Sequence, residues 1–141
     1  MTPWRTLLLL LPGIPVLLGC ANLAQAQEGL ATYYTAASCR LEGTSGAWTA
    51  SGERYNEMAF TAALPQRGFG HRYRVCRTED RWAQETCVVV VHNDAGPGRR
   101  ARARGVIIDL TPAAFDALGG QRGCGKRGCW GELAVTVEAV R

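Results

Sequence analysis

Val88–Gly98 reads VVVVHNDAGPG. Four consecutive β-branched residues favour a buried, pleated strand. The run stops at Asn93-Asp94-Ala95 ahead of Gly96-Pro97, residue types that turn a chain. The stretch therefore predicts a buried strand that delivers a carboxylate to a turn. Asp94 has an ordinary reading there, with its side chain bonding backbone amides of the turn. It also has a chemical one, because a carboxyl at the end of an apolar run has surroundings in which a proton is held and then given up.

Outward from this strand, HRYRVCR (His71–Arg77) alternates polar and apolar residues, the pattern of a half-buried strand. The polar piece TEDRWAQE (Thr78–Glu85) separates it from TCVVVVHN, so the two strands are predicted to form a hairpin with a long tip. Cys76 and Cys87 flank that tip, and a cross-strand disulfide is expected. LATYYTA (Leu30–Ala36), GVIIDL (Gly105–Leu110) and ELAVTVEAV (Glu132–Val140) read as further strands, while EMAFTAAL (Glu57–Leu64) fits strand or helix. EGTSGAWTASGE (Glu42–Glu53) reads as an irregular loop. One helix is predicted, Pro112–Leu118 in TPAAFDALGG, with Thr111 as N-cap, Pro112 at the first helical position and glycine as the stop. Several short strands with one or two short helices give a mainly β protein, and closure into a small barrel removes the exposed edges.

A chain of 141 residues, 47% of them hydrophobic, buries one core. Met1–Ala26 holds no acid and a single Arg5, and its apolar run is broken by Pro12 and Pro15. This is the pattern of an export signal, too interrupted for a good spanning helix, and leaves 27–141 as the folded domain. Two cleavage sites compete. LLGC (Leu17–Cys20) resembles a bacterial lipoprotein box, which would make Cys20 an acylated N-terminus anchored to a membrane; AQA (Ala24–Ala26) fits ordinary signal peptidase.

Either cut leaves Cys39, Cys76, Cys87, Cys124 and Cys129 in an oxidising compartment. Cys124 and Cys129 enclose GKRG, a tight loop that a disulfide would close, and Cys39 is left over. His71 and His92 make no zinc spacing with these cysteines, so neither a metal nor a cofactor is predicted. Sixteen Lys and Arg stand against twelve Asp and Glu, a net charge of +4. That mild excess suits an anionic wall polymer and lacks the clustered basic face of a nucleic-acid binder. No heptad or repeat is present, and a monomer is expected.

Three acids stand near strand ends: Glu53, Asp94 and Asp109. Asp109, after Val-Ile-Ile, is assigned a structural role, bonding loop amides from inside the barrel mouth.

GLATYY, TASGERYNEMAFTAALP, VVVVHNDAGP and GVIIDLTPAAFDALGG, in this order over about Gly29 to Val140, resemble the rare lipoprotein A (RlpA-like) family. The resemblance implies a six-stranded double-psi β-barrel, a location in the bacterial cell envelope or periplasm, and septal lytic transglycosylase activity on peptidoglycan glycan strands. It further implies that Glu53, in SGE, and Asp94, in HND, sit together in a groove across the barrel. Three positions depart from the family: Leu64 stands where it typically has His, Ala95 where it has Arg, and Val106 where Arg is frequent. The same barrel serves expansin-like proteins, which loosen wall polysaccharide without cutting it, and the sequence is similar to their motifs as well.

For cleavage, Asp94 would deliver a proton to the leaving glycosidic oxygen, and the sugar's own 6-hydroxyl would close onto the anomeric carbon. Glu53 would stabilise the developing positive charge or orient the sugar. Candidate glycan contacts are Asn93 and the aromatics Tyr33, Tyr34, Trp48 and Tyr55, Tyr34 and Tyr55 foremost, since aromatic faces suit sugar rings. GRRARARG (Gly98–Gly105) reads as one arginine-rich loop, either solvated or gripping carboxylates of stem peptides through Arg99 and Arg100.

Overall fold

The computed structural model describes residues 25–41, 43, 46–78, 85–125 and 128–140, with the backbone alone at 124–125 and 128–130. The elements in chain order are β1 (Gln27–Tyr33), α1 (Ala36–Leu41), β2 (Thr61–Leu64), β3 (Arg72–Arg77), β4 (Cys87–Ala95), α2 (Arg99–Ala103), β5 (Val106–Leu110), α3 (Pro112–Ala117), β6 (Gly123–Gly125), β7 (Gly128–Trp130) and β8 (Leu133–Val140). Six of the strands close a barrel in the order β1, β5, β2, β4, β3, β8 and back to β1. β1 with β5 and β2 with β4 run parallel, and the other neighbours are antiparallel. This is the six-stranded double-psi barrel that the sequence resemblance implied, with β6 and β7 as a separate small hairpin.

The four valines are not uniformly buried. Val88 and Val90 lie in the core while Val89 is 46% exposed, because a strand in a barrel wall turns every second side chain outward. β5 keeps the same parity with Val106, Ile108 and Leu110 inside, and β8 with Leu133, Val135 and Val137. Ala114, Phe115 and Leu118 complete this core from α3.

α3 begins where predicted, but Thr111 does not cap it with its side chain. The fully buried hydroxyl instead donates to the carbonyls of Ala59 and Thr61, at 2.5 and 3.1 Å. Thr111 thus ties α3 to the chain entering β2, a contact across fifty residues that outweighs the local cap. The other end follows the sequence. Gly119 takes a left-handed φ of 77°, and the Gly119 and Gly120 amides donate to the Asp116 and Phe115 carbonyls, the Schellman pattern. Gly120 has no room for a side chain, since a Cβ would lie 2.3 Å from the Phe115 ring.

Two further helices were not read from the sequence. α1 is opened by a reciprocal pair in which the Ser38 amide donates to Thr35 Oγ1 and the Thr35 amide to Ser38 Oγ, a capping box with Ser at the third position. α2 occupies the arginine-rich stretch expected to be a loop; alternating Arg and Ala are strong helix formers.

The hairpin of β3 and β4 is closed by a Cys76–Cys87 disulfide between register partners, with Cα atoms 4.1 Å apart. The backbone register sets Cys124 opposite Cys129, but their side chains, and hence the second expected disulfide, lie outside the described residues. So do residues 1–24, on which the expected leader and Cys20 fall. Cys39 lies half-buried on α1.

Candidate active site

Each parallel pair of strands is interrupted once. Along β2 and β4, Ala62 faces His92 and Ala63 faces Asp94, so Asn93 is an extra residue without an opposite number. A bulge of this kind re-aims side chains and is frequent beside active sites. It places Asn93 and Asp94 at the end of β4, where the TASGE segment folds over them.

That segment is a tight turn. The Thr49 amide donates to the Glu53 carbonyl at 2.8 Å, the Gly52 amide to Thr49 at 2.9 Å, and Gly52 takes a left-handed φ of 88° that suits glycine. A bridge between Trp48 and Arg54 closes its base. Its tip reaches β4 through three bonds. The Ala50 amide donates to Asp94 Oδ1 at 2.9 Å, the Ser51 amide to the Asn93 carbonyl at 3.0 Å, and the buried Asn93 amide nitrogen to Glu53 Oε2 at 2.9 Å. Glu53 and Asp94 are thus both held where this turn meets the bulge, 41 residues apart in sequence.

Asp94 fulfils its ordinary reading, since Oδ1 also accepts from the Ala95 amide at 2.9 Å. Oδ2 takes neither of these bonds. Glu53 is exposed, whereas Asn93 is buried with its Oδ1 lacking any hydrogen-bond partner.

Tyr34 follows β1 and borders the same site. Its amide donates to the Leu110 carbonyl at 3.1 Å, and its carbonyl accepts the Tyr55 hydroxyl at 2.6 Å, with the two rings 5.0 Å apart. The Tyr34 hydroxyl is shielded from solvent and lies toward the Asp94 carboxylate. Burial first, then the negative charge of Asp94, push its pKa far above the ordinary tyrosine value, so the phenol stays neutral. Burial likewise raises Tyr55, followed by Glu57.

The other expected contacts are distributed elsewhere. Tyr33 packs on Phe115 at 5.2 Å under the Arg122 guanidinium, on the α3 side. Trp48, 56% exposed, lies beneath the Arg54 guanidinium at 5.1 Å. Arg99 and Arg100 are exposed on α2 and take no part in the bonds at Glu53 and Asp94. Asp109 accepts from the Thr32 hydroxyl of the adjacent parallel strand, and its Oδ2 would lie 3.2 Å from a Cβ placed on Gly96. The Thr32 hydroxyl is thus among its partners, a bond that joins the two parallel strands.

Two departures from the family pattern prove to be neighbours: Leu64 and Ala95 are register partners across β2 and β4. Leu64 is buried in the core, and Val106, the third departure, is buried as well.

A closed barrel with two parallel pairs, bearing carboxylates at a bulge and at the turn folded over it, defines the class of double-psi barrel proteins. The chain belongs to the lytic transglycolase family, whose profile matches residues 26–129. It is 40% identical over 92 residues to the probable endolytic peptidoglycan transglycosylase RlpA of Nostoc sp., an alignment covering 65% of this chain and 22% of that protein. The protein of the same name from Synechocystis sp. is 37% identical over 99 residues, 70% of this chain and 26% of the relative. The chain therefore spans about a quarter of the length of these relatives.

Proposed function

We propose that the protein is exported to the cell envelope and cleaves peptidoglycan glycan strands as an endolytic transglycosylase. The observation that carries this is the joining of Glu53 and Asp94 by one turn through Asn93 and Ala50. Asp94 gives a proton to the glycosidic oxygen as the bond to the anomeric carbon breaks. Glu53 stabilises the positive charge that develops on the sugar ring. The 6-hydroxyl of the same sugar then attacks the anomeric carbon and returns its proton to Asp94, leaving an anhydromuramyl end and a regenerated acid. Tyr34 and Tyr55 form the aromatic wall of this site, and Asn93 orients Glu53. Neither a metal nor a cofactor enters any step.

Mass spectrometry of digested sacculi tests the reading. Anhydromuramyl ends support it, and reducing ends would indicate a hydrolase. Glu53→Gln is expected to slow release by about 10²-fold, the scale for loss of one charge-stabilising group, because Gln still bonds Asn93 without supplying the charge.

One observation favours a second reading, an expansin-like protein that binds wall polysaccharide without cutting it. The register pair Leu64 and Ala95 puts apolar residues where the resembled family carries His and Arg. Stable binding to sacculi with no new chain ends would select it.

We also propose that Cys20 anchors the protein to a membrane. Cys20→Ala should then move it from membrane to soluble fractions, since two or three acyl chains hold where one is marginal. A soluble wild type would place the cut after Ala26 instead.

A further inference from the structure

His92 shares the inward parity of Val88 and Val90 and is completely shielded from solvent, 0% exposed. Its Nε2 lies 3.0 Å from the carbonyl oxygen of Asp94, and its Nδ1 lies 3.2 Å from that of Gly68. The Phe69 and Tyr73 rings meet it edge-on at 5.0 and 6.2 Å. Its backbone is bound on both sides, accepting from the Gly70 amide at 2.8 Å and donating to the His71 carbonyl at 2.9 Å. Both ring nitrogens therefore face acceptors. An imidazole with one proton can donate to one carbonyl and must turn a lone pair toward the other, whereas a ring with two protons donates to both.

We propose that His92 is the positioning residue for Asp94, its ring spanning from the Asp94 carbonyl at the bulge to the Gly68 turn and holding the one against the other. The inference rests on the reading of Asp94 as the acid. Held through its carbonyl by His92 and through Oδ1 by the Ala50 and Ala95 amides, Asp94 keeps Oδ2 outside these bonds.

The test uses His92→Phe, which keeps the aromatic packing and removes both nitrogens, and His92→Gln, which keeps an N–H donor. Anhydromuramyl-end release by the full chain is followed, together with hydrogen exchange at the Ala50 amide and ¹⁵N NMR of the imidazole. His92→Phe should lower kcat by about 10–10²-fold, the scale on which a misplaced catalytic group loses rate, with KM unchanged. Exchange at Ala50 should accelerate. His92→Gln should recover part of the rate, and the ¹⁵N shifts of the wild-type ring should show Nε2 hydrogen-bonded. Unchanged kcat and unchanged exchange at Ala50 in folded His92→Phe would overturn the proposal. If that variant does not fold, His92→Gln decides by the same measurements. Should the wild type release no anhydro ends, the transglycosylase reading falls, while exchange at Ala50 still decides whether His92 positions Asp94.

Discussion

Asp94→Asn is expected to lower anhydromuramyl-end formation by about 10²–10⁴-fold, the usual contribution of a general acid, while leaving the barrel and the TASGE turn in place. The reason lies in the division of labour between its two oxygens. Oδ1 accepts the Ala50 and Ala95 amides at 2.9 Å, and the amide oxygen of Asn can accept both bonds. What Asn cannot do is give up and regain a proton at the position of Oδ2. The variant thus separates the anchoring task of Asp94 from its chemical one. Chain ends are counted by mass spectrometry, and hydrogen exchange at Ala50 reports whether the turn is intact. A variant that keeps the wild-type rate would leave Asp94 as a turn residue and pass the wall-binding reading to the front.

The second large effect concerns the disulfide. Joint replacement of Cys76 and Cys87 by Ala should destabilise the domain by about 2–5 kcal/mol, the range for a native bridge in a small exported domain. The bridge joins register partners at the tip end of the β3–β4 hairpin, eleven residues apart. Other fastenings nearby are weak. Arg74 bonds Glu85 and Glu138 at 3.1 Å, but all three side chains are largely solvated, and such pairs contribute little. Chemical denaturation with and without reductant measures the effect; the reduced wild type should approach the variant. An unfolding midpoint that ignores reductant would show that the bridge is dispensable.

Much of the architecture was legible in the sequence because it is local. The alternation in HRYRVCR and ELAVTVEAV places β3 and β8, the two cysteines flanking one polar segment pair as expected, and Pro112 with Gly119 bounds α3. Each signal acts within a turn or across a hairpin. Two local signals went unread: Thr35-x-x-Ser38 as a cap, and the Arg-Ala alternation of α2. The inward position of His92 was also readable, since it shares the parity of Val88 and Val90.

The sequence by itself determined most of the barrel strands, the α3 helix, the Cys76–Cys87 pairing and the two acids worth attention. Only the tertiary structure decided how they meet. Parallel pairing of β2 with β4 leaves no turn signature, because no short connection links the strands, and the bulge at Asn93 follows from that pairing. The Ala50 bond to Asp94 spans 44 residues and the Thr111 hydroxyl bonds span 50 and 52. At such separations no periodicity in the chain selects the partner. Closure of the barrel does, by leaving each buried polar group a small set of acceptors within reach: Thr111 is drawn from its cap to the β2 entry, and His92 comes to stand between the carbonyls of Gly68 and Asp94.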